Sequence, residues 1–187
     1  MTVMGDTRAK VMPNTLLHSR LQNGVRFPNL STAAVGGGEM LLPSDAEGSY
    51  AVILFYRGAW CPYCRAQLAA FARARESLKA IGIEIVALSV DDEATTNALV
   101  AKLRLNFPIG FGAKADEIAA ATGAYVADGF GYLQSTGFVL DRSGRVLTAV
   151  YSSGAIGRLL PDDVAGFVRY LESHADAAAT TPADVAR

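Results

Sequence analysis

The sequence predicts an α/β fold, a mixed central sheet with helices packed against it. Three observations carry that prediction. Tyr50 to Tyr56 is an almost unbroken apolar run, the pattern of a strand buried on both faces. A helical pattern follows from Pro62 to Ile81, stopped by Gly82, with a second apolar run, Ile83 to Val90, behind it. Right-handed crossover then makes those two strands parallel. Finally, Thr136–Leu140 and Arg145–Tyr151 read as antiparallel strands joined by the turn Asp141-Arg142-Ser143-Gly144, which makes the sheet mixed.

Taken in order, residues 12–24 combine polar positions with Leu16, Leu17 and Leu21, and predict a short helix ending at Gly24. Val25 to Leu30 is expected to be extended, because Phe27 precedes Pro28. Gly36-Gly37-Gly38 breaks the chain ahead of Glu39-Met40-Leu41-Leu42 and marks a small hairpin; no lysine or helix start follows in the manner of a phosphate-binding loop. Asp91-Asp92-Glu93 opens a helix running to about Leu105, with acids placed to complement its positive end, so the cluster reads as capping rather than as a metal site. Phe107 to Gly110 is a short extended segment, and Ala115 to Thr122 a third helix closed by Gly123. The loop 124–135 carries Tyr125, Phe130 and Tyr132, polar enough to be exposed and aromatic enough to contact a ligand. A last amphipathic helix begins at Pro161 and is expected to end near Leu171, followed from about residue 175 by a mobile Ala-rich tail.

The 187 residues suit a single domain spanning 1–187, with an N-terminal extension over about 1–24. A net charge of −1, with scattered Lys and Arg, provides no electrostatic footprint for nucleic acid or a membrane surface. No apolar run approaches the roughly 18 residues of a membrane span, and residues 1–10 lack the apolar core of a signal peptide. The expectation is a cytoplasmic protein, in which a stable structural disulfide is unusual and a transient catalytic one is the exception.

Both cysteines fall in Phe55-Tyr56-Arg57-Gly58-Ala59-Trp60-Cys61-Pro62-Tyr63-Cys64-Arg65, where the first strand gives way to the helix. A Cys-x-x-Cys after a buried strand and opening a helix is the redox dithiol arrangement of the thioredoxin fold. Unpaired N–H groups and the positive end of the helix dipole favour thiolate over thiol there. Pro62 suits the first helical position, which places Cys61 at the cap, expected to be exposed. Cys64 lies on the face continued by Leu68, Phe71, Leu78 and Ile81, expected to pack on the sheet. Arg57 and Arg65 are candidates for stabilising a thiolate by charge, and Trp60 for shielding it. A metal site from Cys61, Cys64, His18 and His174 lacks zinc-finger spacing, so neither metal nor cofactor is implied.

With these residues in hand, the chain resembles the peroxiredoxin-like branch of the thioredoxin superfamily, the alkyl hydroperoxide reductase and thiol-specific antioxidant group. The resemblance rests on Val52 to Cys64, Leu88-Ser89-Val90-Asp91, Asn106-Phe107-Pro108-Ile109, and Thr136 to Asp141 with Gly144, and covers about residues 15–172. It implies a thioredoxin-like fold with a peroxiredoxin-type N-terminal extension. Aligning the family motif P-x-x-x-T-x-x-C on Phe55-Tyr56-Arg57 puts the peroxidatic cysteine at Cys64, the motif proline at Arg57 and its threonine at Cys61. The arginine the family carries before the late strand falls near Ser135, as does the cis-proline of thioredoxins. Thioredoxins imply the opposite order, with Cys61 as nucleophile and Cys64 resolving; sequence leaves both open.

The candidate site is therefore the pair Cys61 and Cys64, with Arg57, Trp60, Tyr63, Ser135 and Thr136 as pocket-lining or thiolate-stabilising residues. The expected function is a thiol-dependent oxidoreductase that cycles this dithiol to reduce disulfides or, less efficiently, hydroperoxides. Its partners would be the peroxide or disulfide substrate and an external thiol reductant, thioredoxin-like or of low molecular weight. Self-association as a homodimer would fit the resemblance. The alternative is a non-enzymatic module using the dithiol as a redox switch.

Overall fold

The computed structural model describes residues 20–179, with side chains through His174 in the last helix. Seven strands and four helices follow one another as β1 (Leu30–Ala34), β2 (Glu39–Leu42), β3 (Tyr50–Phe55), α1 (Pro62–Lys79), β4 (Ile83–Leu88), α2 (Glu93–Leu103), β5 (Ile109–Phe111), α3 (Ala115–Thr122), β6 (Thr136–Leu140), β7 (Val146–Tyr151) and α4 (Pro161–Ala179). The strands form one sheet in the order β2-β1-β5-β4-β3-β6-β7. β3, β4 and β5 are parallel; β6 is antiparallel to β3, β7 to β6, and β1 to β5. This is the mixed sheet flanked by helices that the sequence predicts.

β3 lies inside the sheet, between β4 and β6, and every residue in it is buried. Val52, Leu54 and Tyr56 face a core shared with Leu68, Phe71 and Leu78 of α1, Leu99 of α2, and Val164 and Val168 of α4. Ala51, Ile53 and Phe55 face the opposite core with Ile118 of α3, Phe138 of β6, Phe27, and Met40 and Leu42 of the N-terminal hairpin. Strand alternation thus divides one apolar run between two layers. Phe138 joins the second core together, meeting Phe27, Phe55 and Tyr151 edge-on at ring separations of 5.1, 5.5 and 5.5 Å.

Four expectations change in detail. The helix over residues 12–24 lies mostly outside the described residues; within them, the chain at Gln22–Val25 is a turn, closed by the Val25 N–H donating to the Gln22 carbonyl at 3.2 Å. Arg26 forms an isolated bridge to Arg145, but the first strand begins only at Leu30, beyond Pro28, and runs toward the glycines that turn it into β2. The cap of α2 is Asp92, whose carboxylate accepts from the Thr95 N–H at 2.7 Å, which leaves Asp91 for another task. The last helix continues to Ala179, past the expected end near Leu171 and into the expected tail, since nothing from Glu172 to Ala179 breaks a helix; residues 180–187 lie outside the described part.

Candidate active site

β3 delivers the chain at its carboxyl end into a tight corner, Tyr56 to Trp60, from which α1 begins. The corner needs Gly58, whose φ of +148° suits glycine alone, and a Cβ there would meet Trp60 Nε1 at 2.5 Å and Asp91 Oδ1 at 3.0 Å. Asp91, at the end of β4, accepts from the Ala59 N–H at 2.8 Å and from the Ser89 hydroxyl at 3.0 Å, tying the corner to the neighbouring strand. Sequence spacing suggested only a capping role for this acid.

Cys61 is the N-cap of α1 and Pro62 its first helical residue, as expected. The Cys61 sulfur accepts from the Cys64 N–H at 3.4 Å, so the helix start points a backbone donor at it. The expectation of an exposed Cys61 is not met: both cysteines are reduced and fully buried. The reason is tertiary. Arg57 Nη1 lies 4.0 Å and Arg158 Nη2 3.8 Å from the Cys61 sulfur, so two long side chains cover it. Cys64 packs as predicted on the face shared with Leu68, Phe71 and Leu78, and its sulfur accepts from the Arg57 N–H at 3.4 Å and from Arg158 Nη2 at 3.2 Å.

These contacts separate the two thiols. Burial pushes Cys61 up, but hydrogen bonds from the Cys64 thiol and N–H and the charges of Arg158 and Arg57 outweigh it, and the net shift is downward. Burial raises Cys64, the hydrogen bond it gives to Cys61 raises it further, and Arg158 and the Arg57 N–H offset this only partly. In the reduced dithiol Cys61 is the more acidic thiol and Cys64 the one that holds its proton more tightly.

Arg57 is held firmly. Its Nη2 donates to the Tyr132 hydroxyl at 2.9 Å, and its guanidinium lies 4.8 Å from the Trp60 ring and 5.2 Å from the Tyr132 ring. Trp60 meets Tyr132 edge-on at 5.1 Å, and Phe130, 78% exposed, leans on Tyr132 from outside. The aromatic loop thus reaches the site through Tyr132. Arg65 does not stabilise a thiolate: its Nη1 donates to the carbonyls of Ala59 and Trp60 at 3.0 and 3.2 Å, so it braces the corner from behind. Ser135 and Thr136 are buried at the start of β6, with Thr136 paired to Phe55 and its hydroxyl donating to the Gln134 carbonyl; neither hydrogen-bonds a sulfur.

Sequence reasoning missed Arg158, which lies in the segment between β7 and α4 and carries no motif. Next to it is a groove of about 380 Å³ lined by Tyr63, Ala66, Gln67, Ala70, Ile156 and Leu160 among others. Tyr63, Ile156 and Leu160 are largely exposed, so an apolar surface lies beside the arginine that covers the dithiol. No group of three or more His, Cys, Asp or Glu side chains among the described residues could hold a metal ion, and no described helix is long and apolar enough to cross a membrane.

A cysteine pair at a helix start, at the carboxyl end of the central strand of a thioredoxin-like sheet, defines the class of thiol oxidoreductases. The model of the AhpC/TSA family matches residues 24–149, and the chain belongs to that family. It is an enzyme, a thiol peroxidase or oxidoreductase of the peroxiredoxin type. A peroxiredoxin of Chlorobaculum tepidum is 28% identical over 168 residues, covering 86% of this chain and 77% of that protein. One from Treponema denticola is 26% identical, covering 86% and 78%. Among solved structures, AhpC of Mycobacterium tuberculosis superposes with a TM-score of 0.71 at 22% identity, covering 83% of this chain and 96% of the other. A reduced 2-Cys peroxiredoxin of Plasmodium vivax gives 0.70 at 20%, covering 82% and 98%.

Proposed function

We propose that the protein cycles Cys61 and Cys64 between dithiol and disulfide, with Cys61 as nucleophile and Cys64 as resolving thiol. The observation that carries this reading is the asymmetry of the pair: the Cys61 sulfur receives the helix-start N–H of Cys64 and faces two guanidinium groups, while Cys64 lies one turn inside against the core. Cys61 attacks a disulfide sulfur or a peroxide oxygen, and Cys64 then displaces the bound group and closes the disulfide. An external thiol reopens it. The positions at which the family motif has proline and threonine hold Arg57 and Cys61, so peroxide reduction is the slower activity and disulfide reduction the faster. Arg57 holds the thiolate, Trp60 and Tyr132 keep Arg57 in place, and Tyr63 borders the groove in which the non-reacting part of a substrate can lie.

Mass spectrometry after stoichiometric hydrogen peroxide, on wild type and on Cys61→Ser and Cys64→Ser, tests the assignment. Wild type should lose two hydrogens as an intramolecular disulfide, Cys64→Ser should hold a sulfenic acid on Cys61, and Cys61→Ser should react slowest. Equal reactivity of both single variants with a model disulfide and with peroxide, at the wild-type rate, would refute it. Cys61 alkylation as a function of pH should have its midpoint below the ordinary cysteine value.

The burial of both sulfurs favours a second reading, in which the dithiol is a slow redox switch without turnover. A coupled reductase assay distinguishes the two: sustained consumption of oxidant supports the enzyme, and a single stoichiometric oxidation supports the switch.

A further inference from the structure

We infer that the dithiol acts on a disulfide within another polypeptide, bound through apolar side chains next to that disulfide, and that Tyr63, Ile156 and Leu160 form the pocket that selects it. The inference rests on the dithiol cycle proposed above. Nine large apolar side chains are exposed among the described residues, and five of them, Trp60, Tyr63, Phe130, Ile156 and Leu160, belong to the face that carries the sulfurs. They form two banks. On one, Trp60 and Phe130 pack on Tyr132, and Arg57 bridges Trp60 and Tyr132 to the Cys61 sulfur. On the other, Tyr63, Ile156 and Leu160 line the groove of about 380 Å³, whose wall includes Arg158, in reach of both sulfurs. With Ile156 71% and Phe130 78% exposed, these side chains add little to the protein's own core. Apolar surface gathered around one reactive point is surface for a partner to cover.

The chemistry of the face selects the partner. Arg57 gives Nη2 to the Tyr132 hydroxyl and Arg158 gives Nη1 to the Ala155 carbonyl, while the other terminal nitrogen of each faces sulfur. Both cations are thus turned inward, and the lining of the groove contains no lysine and no acid. A small disulfide with charged groups gains little there. Gln67, 5% exposed in that lining, gives Nε2 to the Leu159 carbonyl and leaves Oε1 without a donor. Along the rim, the N–H groups of Ile156 and Gly157 have no acceptor among the described residues. An extended peptide brings an N–H and a carbonyl at nearly every residue, with side chains for the two banks; a hydrocarbon chain brings neither polar group.

The exchange balances without a further reactant. The Cys61 thiolate attacks one sulfur of the partner's disulfide; a mixed S–S bond forms, the partner's S–S bond breaks, and the departing thiolate takes the Cys64 proton. Cys64 then attacks Cys61; the Cys61–Cys64 bond forms, the mixed bond breaks, and the second thiolate leaves and is protonated by solvent. The partner is reduced by the two electrons that the dithiol gives up.

Single-turnover oxidation of the reduced protein tests this with three disulfides: a short peptide whose disulfide is flanked by leucine and phenylalanine, the same peptide with glutamate flanks, and oxidised glutathione. Each rate is divided by that of dithiothreitol with the same disulfide, and mass spectrometry follows the Cys61–Cys64 bond. The apolar peptide should lead the other two by about 10-fold, the scale of burying one large apolar side chain. Ile156→Asp and Leu160→Asp should each remove most of that lead, and Leu41→Ser, a change at an exposed apolar side chain on β2, should keep it. Equal normalised rates for the three disulfides, or a full lead in both aspartate variants, overturn this inference and leave the dithiol cycle standing. A dimer in sedimentation that Ile156→Asp dissociates, with no preference among the three disulfides, assigns the face to a second copy of the chain and overturns it as well. A wild-type protein that forms no Cys61–Cys64 disulfide with any of the three overturns both.

Discussion

Arg57 and Arg158 bring like charges to one pair of sulfurs from segments of opposite construction. The Arg57 segment is the corner between β3 and α1, fixed by bonds that reach other elements: Ala59 to Asp91 of the β4 end, and Arg57 to Tyr132 of the aromatic loop. The Arg158 segment, between β7 and α4, is held largely by its own short-range contacts, the Ser152 hydroxyl donating to the carbonyls of Gly154 and Ile156 and Arg158 donating to Ala155. It is anchored deeper by the Ser152 N–H, which donates to the Ser135 carbonyl at 3.0 Å, and by Leu159, whose side chain is buried and whose carbonyl accepts from Gln67 Nε2 at 3.0 Å. Both charges lower the Cys61 thiol, Arg158 more than Arg57, but only Arg57 is fixed by other elements.

The strongest way to break this contrast is Gly58→Ala, which forces a Cβ into Trp60 and Asp91 at a positive φ. The corner should lose about 2–4 kcal/mol, read as a lower urea midpoint, with Cys61 alkylation losing its acid-shifted profile. Glycine-to-alanine at Gly154, where a Cβ meets nothing within 4 Å, should cost far less.

Tyr56 probes how dry the fixed corner is. Burial pushes its phenol from 10.0 up to about 12, and its hydroxyl has no hydrogen-bond partner. A phenol whose pKa is raised in the folded state contributes stability that is complete below the unfolded value and lost as pH rises toward the folded one. Between about pH 10 and 12 wild type should therefore lose on the order of 2–3 kcal/mol relative to Tyr56→Phe, with the two similar at pH 7. Equal slopes in urea melts across that range would remove the argument.

Tyr132→Phe should cost about 1 kcal/mol by leaving Arg57 Nη2 without its acceptor. The smallest effect is expected from Arg65→Met, which should change stability by less than about 1 kcal/mol and leave the Cys61 alkylation midpoint in place, because its guanidinium serves carbonyls rather than sulfur. A shifted midpoint would return Arg65 to the thiolate.

Local patterns carried most of the architecture. The run Tyr50–Tyr56 became the central strand, Gly82 and Gly123 closed their helices as their positions suggest, and the turn before Gly144 joined β6 to β7. What escaped was what depends on contacts distant in the chain. Arg158 approaches Cys64 from 94 residues away, and nothing in its neighbours marks it as different from any surface arginine. Cys61 reads as exposed because a helix cap usually is; its burial comes from two side chains folding over it. Arg65, in the first turn of α1, is close enough in sequence to suggest the sulfurs and is instead turned back to the corner. Asp91 and Asp92 are adjacent and alike on paper, yet one caps a helix and the other braces the corner beside the dithiol.

Because β3 is bonded on both edges and packed on both faces, the strand behind the cysteines has almost no freedom to yield. Any shortening of the distance between the sulfurs must then be absorbed on the other side, by the opening turn of α1 and the arginine side chains that cover the sulfurs. Oxidation would be felt as a local recoil at the protein's surface, where a reductant could sense it, while the scaffold beneath stays still.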